Sequence, residues 1–273
     1  MLSSVSTAAR ACNAVSSNNS EEVSTTQGEF KALTLNMHKG FSANNLRYTL
    51  EALRVALRDS GCTLVFLQEV SGESRRYRKR LSGWPNTDQL EFLADSVWPH
   101  FAYGKNAVTT NGHHGNAIMS AVPIARWHNE DLSLHRVSQR GLLHVTLESG
   151  FELINVHLGL FERERHSQLS KLIDYIKEKI DPDAPLLLAG DFNDWCQLSH
   201  RRLKQQLGVE EAFESRTGKL AKSFPATLPL LPMDRLYFRG IRIESVSRPN
   251  DPLWRRLSDH SALVADCRSE PRV

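Results

Sequence analysis

Cysteine is scarce in this chain: Cys12, Cys62, Cys196 and Cys267 stand far apart among 273 residues, with no Cys-x-x-Cys spacing. Neither a disulfide framework nor a zinc ribbon is indicated, and a reducing compartment fits, so a cytoplasmic location is expected. Long apolar runs are missing as well, and none approaches the length of a membrane span. The first 28 residues, rich in Ser, Thr, Asn and Ala with Arg10 as their single basic residue, lack the apolar core of a signal peptide. They read as a disordered tail over 1–28 ahead of one domain over 29–273, although an Ala/Ser-rich start leaves organelle targeting open for a eukaryotic source. Nor is there an excess of one charge: 34 Lys and Arg against 31 Asp and Glu give +3, too little to mark a nucleic-acid binder. No obligate protein partner is indicated.

What the chain does have is a repeated pattern. The apolar run Leu186-Leu187-Leu188-Ala189 leads into Gly190-Asp191-Phe192-Asn193, placing two oxygen-bearing side chains at a strand's C-terminal edge, where α/β sheets build sites. Five more stretches join an apolar strand to polar or imidazole groups. They bring in Asn36, Glu69, the pair Asn155 and His157, Asp234, and the pair Asp259 and His260. Any one alone reads as an ordinary capping residue. Six together point to a single site.

Carboxylates and amides without a cysteine pair describe a site for a hard cation, Mg²⁺ or Mn²⁺, which takes oxygen ligands. Two histidines beside potential orienting partners suit acid/base work or phosphate contact near neutral pH. Hydrolysis of a phosphate ester needs this combination: a Lewis acid, a positioned water and stabilisation of developing negative charge.

The ordered set, from Asn36 through Glu69, Asn155 and His157, Asp191 and Asn193, and Asp234 to Asp259 and His260, resembles the endonuclease/exonuclease/phosphatase superfamily. That group includes DNase I, abasic-site endonucleases, deadenylases, neutral sphingomyelinases and inositol-polyphosphate phosphatases. The resemblance runs from Lys31 to Asp266. It implies that Glu69 is the principal metal ligand, with Asn36 and Asp259 completing that side. It further implies that Asp191 and Asn193 position or activate water, that His260 contacts the scissile phosphate while Asp234 holds its ring, and that His157 binds phosphate or assists the leaving group. Arg140, Asn155, His113 and Asn116 are supporting candidates for substrate binding. The segments Asn36-Met37-His38-Lys39-Gly40-Phe41, Gly112-His113-His114-Gly115-Asn116-Ala117 and Gly190-Asp191-Phe192-Asn193-Asp194-Trp195 are similar to a small bacterial branch of that superfamily.

Periodicity predicts helices over Asn45–Arg58 and Glu162–Ile180, a strand over Thr63–Val70, and a hairpin from Leu142–Leu147 and Phe151–Val156. The expected class is α/β: a two-sheet β-sandwich flanked by helices on both outer faces, the DNase I-like four-layer sandwich. The cluster Arg75-Arg76-Tyr77-Arg78-Lys79-Arg80 is a candidate to draw an anionic substrate toward Glu69, or else a solvated loop. Trp84, Trp195 and the Pro-rich 224–232 segment are candidate pocket walls or core packing. These features predict a Mg²⁺-dependent phosphodiesterase acting on a nucleic acid, a phospholipid head group or a small phosphate ester. The alternatives are a dedicated DNA or RNA nuclease, and a catalytically inactive phosphate-binding module.

Overall fold

A computed structural model describes residues 28–45, 47–74, 84–85, 87–109, 112–134 and 139–269. The expected tail, apart from Gly28, lies outside these residues, as do the Arg75–Arg80 cluster, Leu46 and Asn86.

Among the described residues, twelve strands form two six-stranded sheets. The first contains β1 (Glu29–Asn36), β2 (Leu64–Ser74), β3 (His100–Thr109), β4 (Gly112–Ser120), β11 (Ile241–Ser247) and β12 (Leu263–Ser269), in the order β11-β12-β1-β2-β4-β3. The second contains β5 (Ile124–Asp131), β6 (Gly141–Leu147), β7 (Glu152–His157), β8 (Leu186–Asp191), β9 (Glu210–Glu211) and β10 (Asp234–Arg239), in the order β5-β6-β7-β8-β10-β9. Alternation along the strands divides the apolar residues into three cores. Ala32, Phe66, Ile118, Leu143, Leu187 and Leu236 meet between the sheets. Leu33, Leu35, Val65 and Leu67 point the other way, onto α1 (Leu50–Asp59) and α2 (Gln89–Ala94). Ile154, Val156, Leu186 and Leu188 pack beneath α3 (Glu162–Lys179) and α4 (Leu198–Leu207). The result is the expected sandwich with helices on both faces.

Helix α3 follows directly from its sequence. Leu169, Leu172, Ile173 and Ile176 recur at helical spacing and are buried, each worth roughly 1.5–3 kcal/mol of transfer free energy. Glu162 and Glu164 occupy its first turn and Lys177 and Lys179 its last, matching the helix dipole. Helix α1 starts at Leu50, five residues later than the periodicity predicts. A 3-10 turn over Ala43–Asn45 and a bridge between Phe41 and Tyr48 take the intervening chain. Thr49 then donates its Oγ1 to Gly40 O and Leu257 O, tying the helix start to the loops around the candidate site.

Among the described residues, no helix is long and apolar enough to cross a membrane.

Candidate active site

Strand register alone assembles the centre of the site. β1 and β2 run parallel with Asn36 opposite Gln68, and β7 and β8 run parallel with His157 opposite Asp191. β10 returns antiparallel to β8, setting Asp234 opposite Asp191 on its other side. Six sequence-predicted groups therefore reach one edge of the sandwich: Asn36, His157, Asp191, Asn193, Asp234 and His260.

Asp191 is the hub. Its Oδ2 accepts a 3.1 Å hydrogen bond from Asn36 Nδ2, and it lies 3.4 Å from His157 Nε2 and 3.9 Å from His260 Nε2. Its Oδ1 accepts from the backbone N–H of Asn193 at 3.0 Å, while Asn193 Nδ2 donates to Leu158 O. Burial, with the Asp234 charge adding to it against the opposing pull of His260, lifts the Asp191 carboxyl to about 7. His260 Nδ1 lies 2.7 Å from Asp234 Oδ2. Burial opposes its charge, yet Asp234 and then Asp191 hold the ring protonated up to about 10. His157 goes the other way: burial, with Arg140 adding to it, pushes it well below the ordinary histidine range.

Glu69 is aimed by a bulge. Between Leu67↔Ala117 and Val70↔Gly115 two residues of β2 face one of β4, and Glu69 takes a left-handed φ of 57° there. Its Oε2 lies 3.5 Å from Lys39 Nζ and has no hydrogen-bond partner despite its burial. Burial works against its charge, but His157, Lys39, His114 and His38 together hold the carboxyl down to about 2. Asp259 lies on the same side, 3.4 Å from His38 Nδ1. Ser258 Oγ donates to Asn36 O at 2.6 Å and lies 3.3 Å from Asp259 Oδ1, linking the loop ahead of β12 to β1.

The donor set at Glu69, Asn36 and Asp259 is oxygen only, and an ionised, buried, unsatisfied carboxylate oxygen suits a hard divalent cation. Among the described residues, the group whose ligand atoms lie within 4.8 Å of one another is instead Asp191, Asp234 and His260. His260 is committed there to an ion pair with Asp234.

Beside Glu69 a small cleft is lined by His114, Asn116, Arg140 and His157, with Asn106 and Gln139. Arg140 Nε is buried without a hydrogen-bond partner. Of the supporting candidates, Arg140 and Asn116 line this cleft, although Asn116 Nδ2 is engaged by Gly141 O and Asn155 O. Asn155 lies beneath the cleft and joins the two sheets. It donates to Leu67 O and Ala117 O and accepts from Gln68 Nε2, so its polar atoms are held within the core. His113 packs toward Tyr103, its Nδ1 3.0 Å from the phenol oxygen. Its neighbour His114 lines the cleft instead, with burial and then Lys39 lowering it to about 4. Sequence reasoning assigned no role to His38 or Lys39. The left-handed backbone at His38 and Lys39 just before Gly40 is the signal that marks a loop folded back on Glu69.

Trp84, a candidate pocket wall, is buried and stacks on Tyr48 at 5.4 Å. Trp195 is exposed, with the Arg165 guanidinium over its ring. The Pro-rich segment is part of the site's surroundings: Phe224 packs on His260 at 4.9 Å between ring centres, and Ala226 N–H donates to Asp259 O.

A family model described as Endonuclease/Exonuclease/phosphatase family matches residues 33–260. The protein YbhP of Escherichia coli (strain K12) is 43% identical over 247 residues, 89% of this chain and 97% of that protein. Among solved structures, the endonuclease/exonuclease/phosphatase from Beutenbergia cavernae DSM 12333 has a TM-score of 0.71 at 17% identity, covering 89% of this chain and 72% of that one. D. rerio TDP2 complexed with single strand DNA product has a TM-score of 0.66 at 18% identity, covering 88% and 98%. At these identities the two structures speak to the fold alone.

Proposed function

The chain belongs to the endonuclease/exonuclease/phosphatase family, and on that premise we propose that it is a divalent-metal-dependent phosphoric-ester hydrolase, acting chiefly on phosphodiesters. The observation that carries this reading is the buried Asp191 carboxylate set between His157 and the Asp234–His260 pair, beside the unsatisfied Glu69 oxygen.

Asp191 accepts a proton from the attacking water as that water approaches phosphorus, and Asn193 fixes the turn that presents the carboxylate. The His260 imidazolium, oriented by Asp234, faces the negative charge that grows on the phosphoryl oxygens. Arg140, its Nε unspent, offers a second cation to the same oxygens. His157 steadies Asp191 and stands near the leaving group. Mg²⁺ or Mn²⁺ held by Glu69, Asn36 and Asp259 supplies Lewis-acid polarisation of the phosphate when bound.

The test is hydrolysis of bis-p-nitrophenyl phosphate by the full chain with added Mg²⁺ or Mn²⁺ and with excess EDTA. Metal-dependent turnover is expected. Undiminished turnover in EDTA refutes the metal role, and no turnover with any metal favours an inactive phosphate-binding module.

A further inference from the structure

The large apolar side chains left in solvent are concentrated in the loops that carry the site. Leu160 and Phe161 follow His157 by three and four residues and are 53% and 78% exposed. Trp195 and Leu198 follow Asn193 and are also exposed, as are Leu228 and Leu230, which lie in the segment that places Phe224 on His260. Leu253 precedes Ser258-Asp259-His260 by five residues and is 45% exposed.

Contacts between these loops make them one rim. Arg165 donates to Leu160 O and lies over the Trp195 ring, joining the first loop to the second. Arg235, fully buried, donates to Asp194 O and to Pro232 O, joining the second to the third. Ala226 N–H donates to Asp259 O, joining the third to the last. Water-facing loops do not need this many large apolar tips. An apolar rim around a polar floor marks a surface that meets another apolar phase.

Charge points to the same occupant. In these loops and the helical turns next to them Arg163, Arg201, Arg255 and Arg256 are exposed against Glu162 and Asp251, so the exposed charge near the apolar tips in sequence is net positive. Aromatic and Leu side chains with cations beside them are the makings of a segment that settles into the headgroup and upper acyl region of an anionic bilayer. A nucleic-acid groove would differ. It would track a backbone with cations along its length and offer aromatic faces for stacking, whereas five of these seven tips are leucines.

We infer that the apolar rim formed by Leu160, Phe161, Leu198, Leu228, Leu230 and Leu253 docks on an anionic lipid bilayer, so that the phosphate ester entering the site is a phospholipid headgroup. This rests on the proposed phosphoric-ester hydrolysis for its second half and on the rim alone for its first. Docking presents a headgroup phosphate at the height of His260 and Arg140 without lifting the lipid out of the membrane.

The full chain is sedimented with vesicles of phosphatidylcholine, and with vesicles of phosphatidylcholine mixed equally with phosphatidylglycerol. Release of headgroup and of phosphorylated headgroup from phosphatidylglycerol is followed in parallel, alongside hydrolysis of soluble bis-p-nitrophenyl phosphate. Binding is expected on the anionic vesicles. A Phe161→Ser, Leu228→Ser, Leu230→Ser variant is expected to lose about tenfold or more of that binding and of lipid turnover. Its turnover of the soluble ester should stay within about twofold. Circular dichroism confirms that the variant is folded. Soluble turnover with no vesicle binding overturns the docking proposal and leaves the hydrolase reading standing. Rim-dependent vesicle binding with no turnover of either ester supports docking and refutes the hydrolase reading. Rim-dependent binding of a single-stranded oligonucleotide without vesicle binding overturns docking and makes the rim a stacking platform for bases.

Discussion

His260 Nδ1 lies 2.7 Å from Asp234 Oδ2 although 26 positions separate the two residues in the chain. The pairing fixes the ring's tautomer and turns Nε2 toward Asp191.

Two groups acting through one hydrogen bond should fail together. Asp234→Asn and His260→Ala are each expected to lower kcat by about 10²- to 10⁴-fold. The double variant should be little worse than His260→Ala alone, because coupled catalytic groups are non-additive. Steady-state kinetics on bis-p-nitrophenyl phosphate reads the comparison, and additive losses would separate the pair.

Glu69→Gln keeps the shape of the side chain and removes its charge. With Lewis-acid stabilisation worth several kcal/mol, the loss of turnover should reach about two orders of magnitude or more. Thermal unfolding with and without Mg²⁺ provides a second readout. The parent chain is expected to gain stability from the metal, and the variant is not.

Gly190 has φ of 141°, and a Cβ there would lie 2.0 Å from the Val156 carbonyl oxygen. That oxygen is backbone in the neighbouring β7, so the β7–β8 pairing must open for any side chain to fit. Gly190→Ala is expected to cost about 2 kcal/mol or more of stability. It should also cut activity beyond that, since Asp191 is the next residue. Chemical denaturation gives the first number and kcat at a temperature where the variant is folded gives the second.

Glu211 sits buried in β9 beside β10, accepting from Glu214 N–H, and burial lifts its carboxyl from an ordinary 4.5 to about 7. A raised carboxyl binds its proton more tightly when folded than when unfolded. The resulting stability is fully present below pH 4.5 and is lost as pH rises through about 7, roughly 3 kcal/mol in all. Glu211→Gln should flatten that part of the pH–stability curve. An unchanged slope between those pH values would assign it to other groups.

The fold was legible wherever one period dominated. Leu169, Leu172, Ile173 and Ile176 could only make a helix with a single apolar face, and the strand ends at Asn36, His157 and Asp191 follow apolar runs of strand length. Meeting in space was legible for the same reason, since parallel neighbours bring like ends to one edge. What could not be read depended on register. His113 and His114 are adjacent on β4 and face opposite ways, so which one enters the cleft turns on bulges between Leu67 and Val70 and between Lys105 and Ala107. Asn155 carries the same sequence signal as a site residue, yet its partners Leu67, Ala117 and Gln68 belong to the other sheet, and only the stacking of the sheets spends its amide. Trp84 read as either a pocket wall or core packing, because its burial depends on Tyr48, 36 positions away.

The last strand, β12, pairs with β1 through six residues from Glu29↔Arg268 to Thr34↔Leu263. Synthesis runs from β1 toward β12, so β1 leaves the ribosome long before this neighbour exists, and contacts so distant in sequence form slowly. A nascent chain that has already exposed Asn36, Glu69, His157 and Asp191 still lacks both the strand that closes the first sheet and the His260 imidazole just ahead of it. Strand order therefore postpones assembly of the cluster around Asp191 until the segment that carries His260 has been made.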